Sequence, residues 1–246
     1  MFEVSKAKDR IIVALDVETA VEAREIIAEL RGEVGAFKIG LQLFTAAGAS
    51  FVREAVEDGN RIFLDVKFHD IPNTVAKAAV EVARLGVWMF NVHVCGGAEM
   101  MRRTREAVGE FCDYESLPKP LIIGVTVLTS SNQETLREIG VAAETETQVL
   151  NLARLAAKCG LDGVVASPLE AQVVRGDIDN KNFLIVTPGI RSANPATFDD
   201  QKRVMTAKDA LAAGADYLVI GRPIVRAENK TSAVQRILEE METSEI

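Results

Sequence analysis

Three charged side chains stand close together in residues 64–74, which read LDVKFHDIPNT. Asp65 and Lys67 are two residues apart at the end of an apolar run, and Asp70 follows three residues later. Because side chains alternate between the faces of a strand, this spacing predicts that Asp65 and Lys67 share a face, with Asp70 in the turn beyond. Such charges are unfavourable when buried unless they satisfy one another or a ligand. The stretch is therefore a candidate for either a catalytic site or a structural salt-bridge network.

Short apolar runs alternate with amphipathic segments along the whole chain. The runs predict eight strands, over residues 11–15, 35–39, from 61 into the charged stretch, 88–94, 121–127, 161–166, 183–186 and 217–220. Periods near 3.6 predict helices over residues 19–30, 41–57, 73–85, about 96–108, 146–158, about 168–174, 207–213 and about 230–241, with a short one inside 132–140. Thr19, with Glu22 three residues later, has the sequence of a capping box.

Eight strands that alternate with helices over 246 residues are typical of a (β/α)₈ TIM barrel, an α/β fold. We therefore predict a single barrel domain over residues 1–246. A doubly wound open sheet is the alternative, but no GxGxxG sequence follows the first predicted strand.

Composition excludes several classes of partner. The chain carries 28 Lys and Arg against 36 Asp and Glu, a net charge of −8, which argues against general nucleic-acid binding. It contains no apolar stretch long enough to span a membrane and no apolar signal-peptide core at the N-terminus. Its three cysteines show no metal-binding spacing. A reduced, cytoplasmic setting is the simplest expectation, without a membrane partner.

In a barrel, active sites lie at the carboxyl ends of the strands. The first three predicted strands each bring a charged side chain to that end: Asp16, Lys38, and the pair Asp65 and Lys67. Thr129 follows the fifth strand. Scattered surface charge would not choose the same end of successive strands, so the sequence predicts a charged site at this mouth.

The loops after the seventh and eighth strands have the composition of a phosphate site. Glycine lets the backbone approach an anion, and arginine supplies a planar pair of donors. Gly189 and Arg191 follow the seventh strand, and Gly221 and Arg222 follow the eighth. The long polar segment 192–206, which contains Gln201, is a candidate lid. The alternative for the two loops is a helix cap with a surface arginine. The alternative for segment 192–206 is a mobile loop without a role in binding.

Several motifs together resemble the orotidine 5′-phosphate decarboxylase family. In chain order they are ALD from residue 14, FKIG from 37, LDVKFHDIPNT from 64, FNVHVCGG from 90, LTS from 128, TPGIR from 187, DQ from 200 and VIGRPI from 219. The resemblance spans the chain from the first strand to the last. It implies a carboxy-lyase of pyrimidine biosynthesis that converts orotidine 5′-monophosphate to UMP with neither a cofactor nor a metal.

The resemblance also implies a role for each candidate residue. Lys67 would protonate C6 of the base, with Asp65 near the departing carboxylate, and Lys38 and Asp70 would complete an alternating charge network. The expected substrate-binding residues are Asp16 and Lys38 at the ribose, Thr129 at the pyrimidine, and Arg191, Gln201, Gly221 and Arg222 at the phosphate. In a homodimer, Asp70 and Thr74 would reach into the partner's site.

Three other interpretations remain open. The first is a Mg²⁺-dependent sugar-phosphate decarboxylase or aldolase on the same barrel, which also fits Asp-x-Lys-x-x-Asp. The second is a silent phosphate-binding barrel that binds nucleotide without turnover. A Schiff-base aldolase that uses Lys67 is disfavoured, because the carboxylates oppose the low pKa that an amine nucleophile needs. His69 and His93 are expected to be structural.

Overall fold

The eight strands form a closed, all-parallel barrel in the order β1 to β8. The computed structural model describes residues 6–190 and 205–242. The strands are β1 Ile11–Ala14, β2 Ala36–Gly40, β3 Ile62–Phe68, β4 Met89–His93, β5 Leu121–Val125, β6 Gly163–Val165, β7 Leu184–Pro188 and β8 Tyr217–Ile220. β8 closes the ring on β1, with a register that runs from Ile11 opposite Leu218 to Val13 opposite Ile220. The (β/α)₈ fold is therefore confirmed, and one domain over residues 1–246 stays a prediction.

Helices follow the strands on the outside of the barrel. They are α1 Ala20–Leu30, α2 Leu41–Glu57, α3 Pro72–Arg84, α4 Gly97–Glu115, α5 Gln133–Glu138, α6 Thr145–Lys158, α7 Pro168–Asp177, α8 Ala207–Ala212, α9 Arg222–Val225 and α10 Lys230–Glu242. The Thr19 side chain accepts a hydrogen bond from the Glu22 backbone N–H, as the capping sequence predicts. No described helix is both long enough and apolar enough to cross a bilayer.

Two of the α-helices differ from the prediction by more than one turn. α4 runs to Glu115 instead of ending near residue 108, because Cys112 lies one turn after Val108 and extends the buried face of the helix. α9 was not predicted at all. It is a four-residue turn directly after β8, with Pro223 in its first turn, and is too short to show a hydrophobic period.

The inside of the barrel is filled with apolar side chains below the mouth. Alternate strand residues form one inner cluster, which contains Ile12, Ala14, Ala36, Phe63, Met89, Leu121, Ile123, Leu184, Val186, Tyr217 and Val219. A separate cluster joins the outward-facing strand residues to the helices. Since the inner cluster fills the lower part of the barrel, polar side chains one step further along the strands lie at the carboxyl-terminal mouth.

Candidate active site

A cavity of about 190 Å³ opens at the carboxyl ends of the strands, and we call it the mouth cavity. Seven of the predicted site residues line it: Asp16, Lys38, Asp65, Lys67, Thr129, Gly221 and Arg222. Its remaining lining is largely apolar and includes Phe63 from the inner cluster. Arg191 and Gln201 lie outside the described residues, as does the proposed lid apart from Met205 and Thr206.

Four charged side chains alternate in sign across the mouth cavity. The Lys38 ammonium lies 3.2 Å from Asp16 Oδ1 and 3.2 Å from Asp65 Oδ2. The Lys67 ammonium lies 2.7 Å from Asp65 Oδ1. The Lys38 and Asp65 side chains are only 10% and 12% exposed, whereas Lys67 is 34% exposed. Lys67 is therefore the ammonium in this row that a ligand can readily approach.

Burial acts to raise the pKa of Asp65, but the positive charges of its two lysine neighbours outweigh the effect of burial. Lys38 and Lys67, helped by hydrogen bonds from Lys67 and Asn91, hold the pKa of Asp65 below its usual value. Burial likewise acts to lower the pKa of Lys38, but the Asp65 and Asp16 carboxylates raise that pKa above the usual value for lysine. Asp65 and Lys38 are therefore both ionised at neutral pH.

We expect Asp65→Asn to lower the free energy of unfolding by about 3 kcal/mol at neutral pH, because the buried Lys38 loses its buried counter-ion and keeps only the exposed Asp16. A group whose pKa is lowered by folding stabilises the protein above its unfolded-state pKa and loses that effect as pH falls through the folded-state value. The difference between wild type and Asp65→Asn should therefore shrink below about pH 4.

Urea unfolding at a series of pH values measures this difference. Asp113→Asn is the matched control, because it breaks the exposed ion pair with Lys119 and should change stability little at any pH. Equal effects of the two substitutions at neutral pH would contradict the structural role of Asp65.

Lys67 departs from regular strand geometry. Its φ is +53°, a left-handed conformation that is uncommon for a residue other than glycine. The pairing of β3 with β4 also shifts register between Leu64 and Phe68. Asp65 and Lys67 do meet in the mouth cavity, but through this irregular backbone rather than through the simple alternation that the sequence suggested. Backbone strain of this kind is common at functional sites and persists only where surrounding contacts hold it.

Asn91 is the polar residue that the sequence analysis missed. It lies on β4, is fully buried, and bridges the two central residues of the site. Its Nδ2 donates to Asp65 Oδ1 at 2.6 Å, and its Oδ1 accepts the Lys67 backbone N–H at 2.8 Å. The available signal was a single amide in the otherwise apolar run Met89–Val92, where a buried polar group requires partners.

Asp70 and Thr74 lie outside this cluster. Both are exposed around the start of α3, and Asp70 Oδ1 accepts a hydrogen bond from the backbone N–H of Ile71 at 2.6 Å. Within the described part of the chain, Asp70 forms no ion pair with the lysines, so the predicted four-membered network has Asp16 rather than Asp70 as its intrachain end. Ile71, between them, is 67% exposed although it is apolar.

The two histidines lie beside each other next to the charged row. Their ring centroids are 5.6 Å apart and the planes are tilted by 48°. Burial, together with His69 and Lys67, lowers the pKa of His93, so this side chain is neutral at pH 7. His69 is exposed, and among the described residues His93 Nδ1 is buried without a hydrogen-bond partner.

The ends of β7 and β8 supply the opposite side of the mouth cavity. Gly189 has a φ of +85°, which favours glycine. Gly221 passes close to the end of β1. A Cβ added to Gly221 would lie 3.2 Å from Asp16 Oδ2 and 3.4 Å from the Ala14 side chain. Glycine at this position therefore keeps the backbone of the eighth strand close to the cavity, with Arg222 immediately after it.

A closed parallel barrel with ion-paired lysines and aspartates in a cavity at its carboxyl end defines the class of (β/α)₈-barrel enzymes. Within that class, the chain belongs to the orotidine 5′-phosphate decarboxylase / HUMPS family, whose model matches residues 9–237.

Individual relatives agree with this assignment. The chain is 54% identical over 237 residues to orotidine 5′-phosphate decarboxylase of Syntrophotalea carbinolica, across 96% of both chains. It is 50% identical over 233 residues to the protein of the same name from Idiomarina loihiensis, across 94% of this chain and 97% of that one. The crystal structure of the Lactobacillus acidophilus orotidine 5′-phosphate decarboxylase superposes with a TM-score of 0.80 at 34% identity, covering 94% and 98% of the two chains. The predicted family and enzyme class, a carboxy-lyase, are confirmed.

Proposed function

We propose that this protein decarboxylates orotidine 5′-monophosphate to UMP without a metal or cofactor, as a step of pyrimidine biosynthesis. The observation that carries the proposal is the Lys67 ammonium, held 2.7 Å from Asp65 at the edge of the mouth cavity. The names of its relatives support the same reaction.

The reaction breaks the bond between C6 and its carboxylate, so that CO₂ leaves and the electron pair stays on C6. No adjacent π-system accepts this pair, and a fixed ammonium beside C6 stabilises it electrostatically. Lys67 then donates a proton from Nζ to C6, which gives UMP. Asp65 orients the Lys67 ammonium, and its carboxylate lies near the departing one.

The remaining candidates bind the nucleotide away from the chemistry. We assign Asp16 and Lys38 to the ribose hydroxyls, because Asp16, just after β1, lies beside Lys38 on β2 at one edge of the cavity. Thr129 would contact the pyrimidine. Gly221 and Arg222, with Arg191 and Gln201, would bind the phosphate, and binding energy gained there can serve to orient the base.

Arg222→Ala tests the phosphate site. Loss of a charge-assisted contact should weaken UMP binding by about 10- to 100-fold, with a smaller effect on kcat. Isothermal titration with UMP and uridine measures it, since uridine lacks the phosphate and should bind both proteins equally. Arg226→Ala, at the exposed end of the same short helix, is the matched control. Unchanged UMP affinity in Arg222→Ala would contradict the assignment.

We further propose a homodimer in which Asp70 and Thr74 enter the partner's site. Both side chains are exposed around the start of α3, which follows the carboxyl end of β3, and the exposed apolar Ile71 between them is suited to burial against a second copy. The cytoplasm remains the expected location.

The direct test is the ultraviolet absorbance of orotidine 5′-monophosphate incubated with purified protein in EDTA. Conversion to UMP in proportion to enzyme concentration is the expected result. The family description also includes HUMPS enzymes, so the Mg²⁺-dependent sugar-phosphate alternative is tested in a separate assay with sugar phosphates, with and without EDTA. Turnover of sugar phosphates that EDTA abolishes, without conversion of orotidine 5′-monophosphate, would replace the proposal. UMP binding without turnover would indicate a silent binding barrel.

A further inference from the structure

Asn91 occupies an unusual place for a neutral side chain, because it is fully buried and uses both ends of its amide on the charged row. Its NH₂ group donates to the same Asp65 oxygen that Lys67 Nζ contacts. Its carbonyl oxygen accepts the backbone N–H of Lys67. The Asn91 side chain therefore contacts both the Asp65 carboxylate and the backbone of Lys67, the two residues that form an ion pair in the cavity.

The backbone contact matters because of the conformation that it holds. Lys67 has a φ of +53°, and the register between β3 and β4 shifts around it. At such a shift the regular strand pairing is interrupted, and the Lys67 N–H takes a side-chain acceptor instead. Without that acceptor, the Lys67 N–H would be left unpaired, and the left-handed conformation would lose one of the contacts that stabilise it.

We propose that Asn91 is a positioning residue for Lys67 and Asp65. It holds Lys67 in the left-handed conformation that directs the ammonium into the mouth cavity, and it fixes the rotamer of Asp65 by occupying one carboxylate oxygen. This role rests on the proposed function, because it assigns Asn91 to proton delivery at C6. Asn91 does not itself line the cavity and is not a catalytic residue.

Two substitutions separate positioning from simple structural support. Asn91→Leu has similar size and removes both hydrogen bonds. Displacing the ammonium should lower kcat about 100-fold, while UMP affinity, set largely by the proposed phosphate contacts on the opposite side of the cavity, stays within about threefold. Thr126→Val is the matched control, because it removes the hydrogen bond that the Thr126 hydroxyl, just after β5, donates to the Val165 carbonyl. This variant should be less stable than wild type but keep its kcat.

Asn91→Asp gives a readout that a structural role would not produce. The new carboxyl group would face Asp65 and can donate to it only while protonated, and two adjacent carboxyl groups share a proton with a raised apparent pKa. The other titratable groups around it are Lys67 on β3, Lys38 on β2, Asp16 after β1, and His93 and His69 at the mouth. They are common to all variants, so the ratio of variant to wild-type kcat should fall as pH rises for Asn91→Asp and stay flat for Asn91→Leu.

Amide hydrogen exchange tests the geometry without any turnover. The Lys67 N–H should exchange faster in Asn91→Leu than in wild type, and should remain protected in Asn91→Asp, which keeps an acceptor. Wild-type kcat in Asn91→Leu, the same pH ratio in both variants, or unchanged Lys67 exchange in Asn91→Leu would each overturn the proposal. If wild type itself shows no turnover, the proposed function fails, and the exchange data still decide whether Asn91 holds Lys67.

Discussion

Lys67→Ala should lower kcat for orotidine 5′-monophosphate by about 10⁴-fold or more, the largest effect expected for any single substitution in this chain. In the proposed mechanism, the substitution removes both the positive charge that stabilises the C6 carbanion and the proton that ends the reaction. Asp65 keeps its contacts with Lys38 and Asn91, so the cavity should survive. UMP affinity should fall much less than kcat, because the proposed phosphate contacts lie on the opposite side of the mouth cavity.

Single-turnover absorbance measurements, with circular dichroism to verify folding, are suited to so large a loss. Lys158→Ala, on the exposed end of α6, is the control for removing one lysine charge and should keep wild-type kcat. If folded Lys67→Ala retained more than about a tenth of wild-type kcat, Lys67 would be removed from the proton-transfer step.

Mixing inactive Lys67→Ala with inactive Asp70→Ala should restore activity if each site uses Asp70 from the partner. In an equal mixture of dimers, half are mixed, and each mixed dimer has one site with both residues intact. About a quarter of wild-type activity should therefore return once subunits have exchanged. The structure motivates this test, since Asp70 and Thr74 are exposed around the start of α3, and Asp70 has no intrachain lysine partner among the described residues.

The matched control mixes Lys67→Ala with Asp65→Asn. These residues lie 2.7 Å apart within one chain, so every site in a mixed dimer keeps a defect and no activity should return. Native mass spectrometry of differently labelled subunits shows whether mixed dimers form. Mixed dimers without recovery in the Asp70 experiment would place Asp70 outside the partner's site.

The sequence predicted the positions of the charged residues better than their geometry. Asp16, Lys38, Asp65 and Lys67 follow apolar strands, and strand direction in a parallel barrel brings such residues to one mouth. The left-handed backbone of Lys67 could not be predicted in this way, because it depends on a register shift against β4, which is distant in the chain. Strand alternation describes only a regular ladder.

Asn91 was missed for a related reason. A lone amide in an apolar strand indicates that a partner exists but not which one, and its partners Asp65 and Lys67 lie on the neighbouring strand 24 to 26 residues away. α9 was missed because four residues cannot show a helical period. Asp16, Lys38, Asp65 and Lys67, which the local pattern placed at strand ends, do lie together at the mouth, whereas features created by contacts between strands required the folded barrel.

The pairing of β1 with β8 has a consequence for how the protein acquires its site during synthesis. Asp16 follows the first strand and Gly221 the last, yet the two meet at the seam where the ring closes. Before the eighth strand has emerged from the ribosome, the sheet of the nascent chain has two unpaired edges, which can associate with other chains. Since ligands stabilise only the state that binds them, nucleotide present during folding should favour chains whose seam has closed.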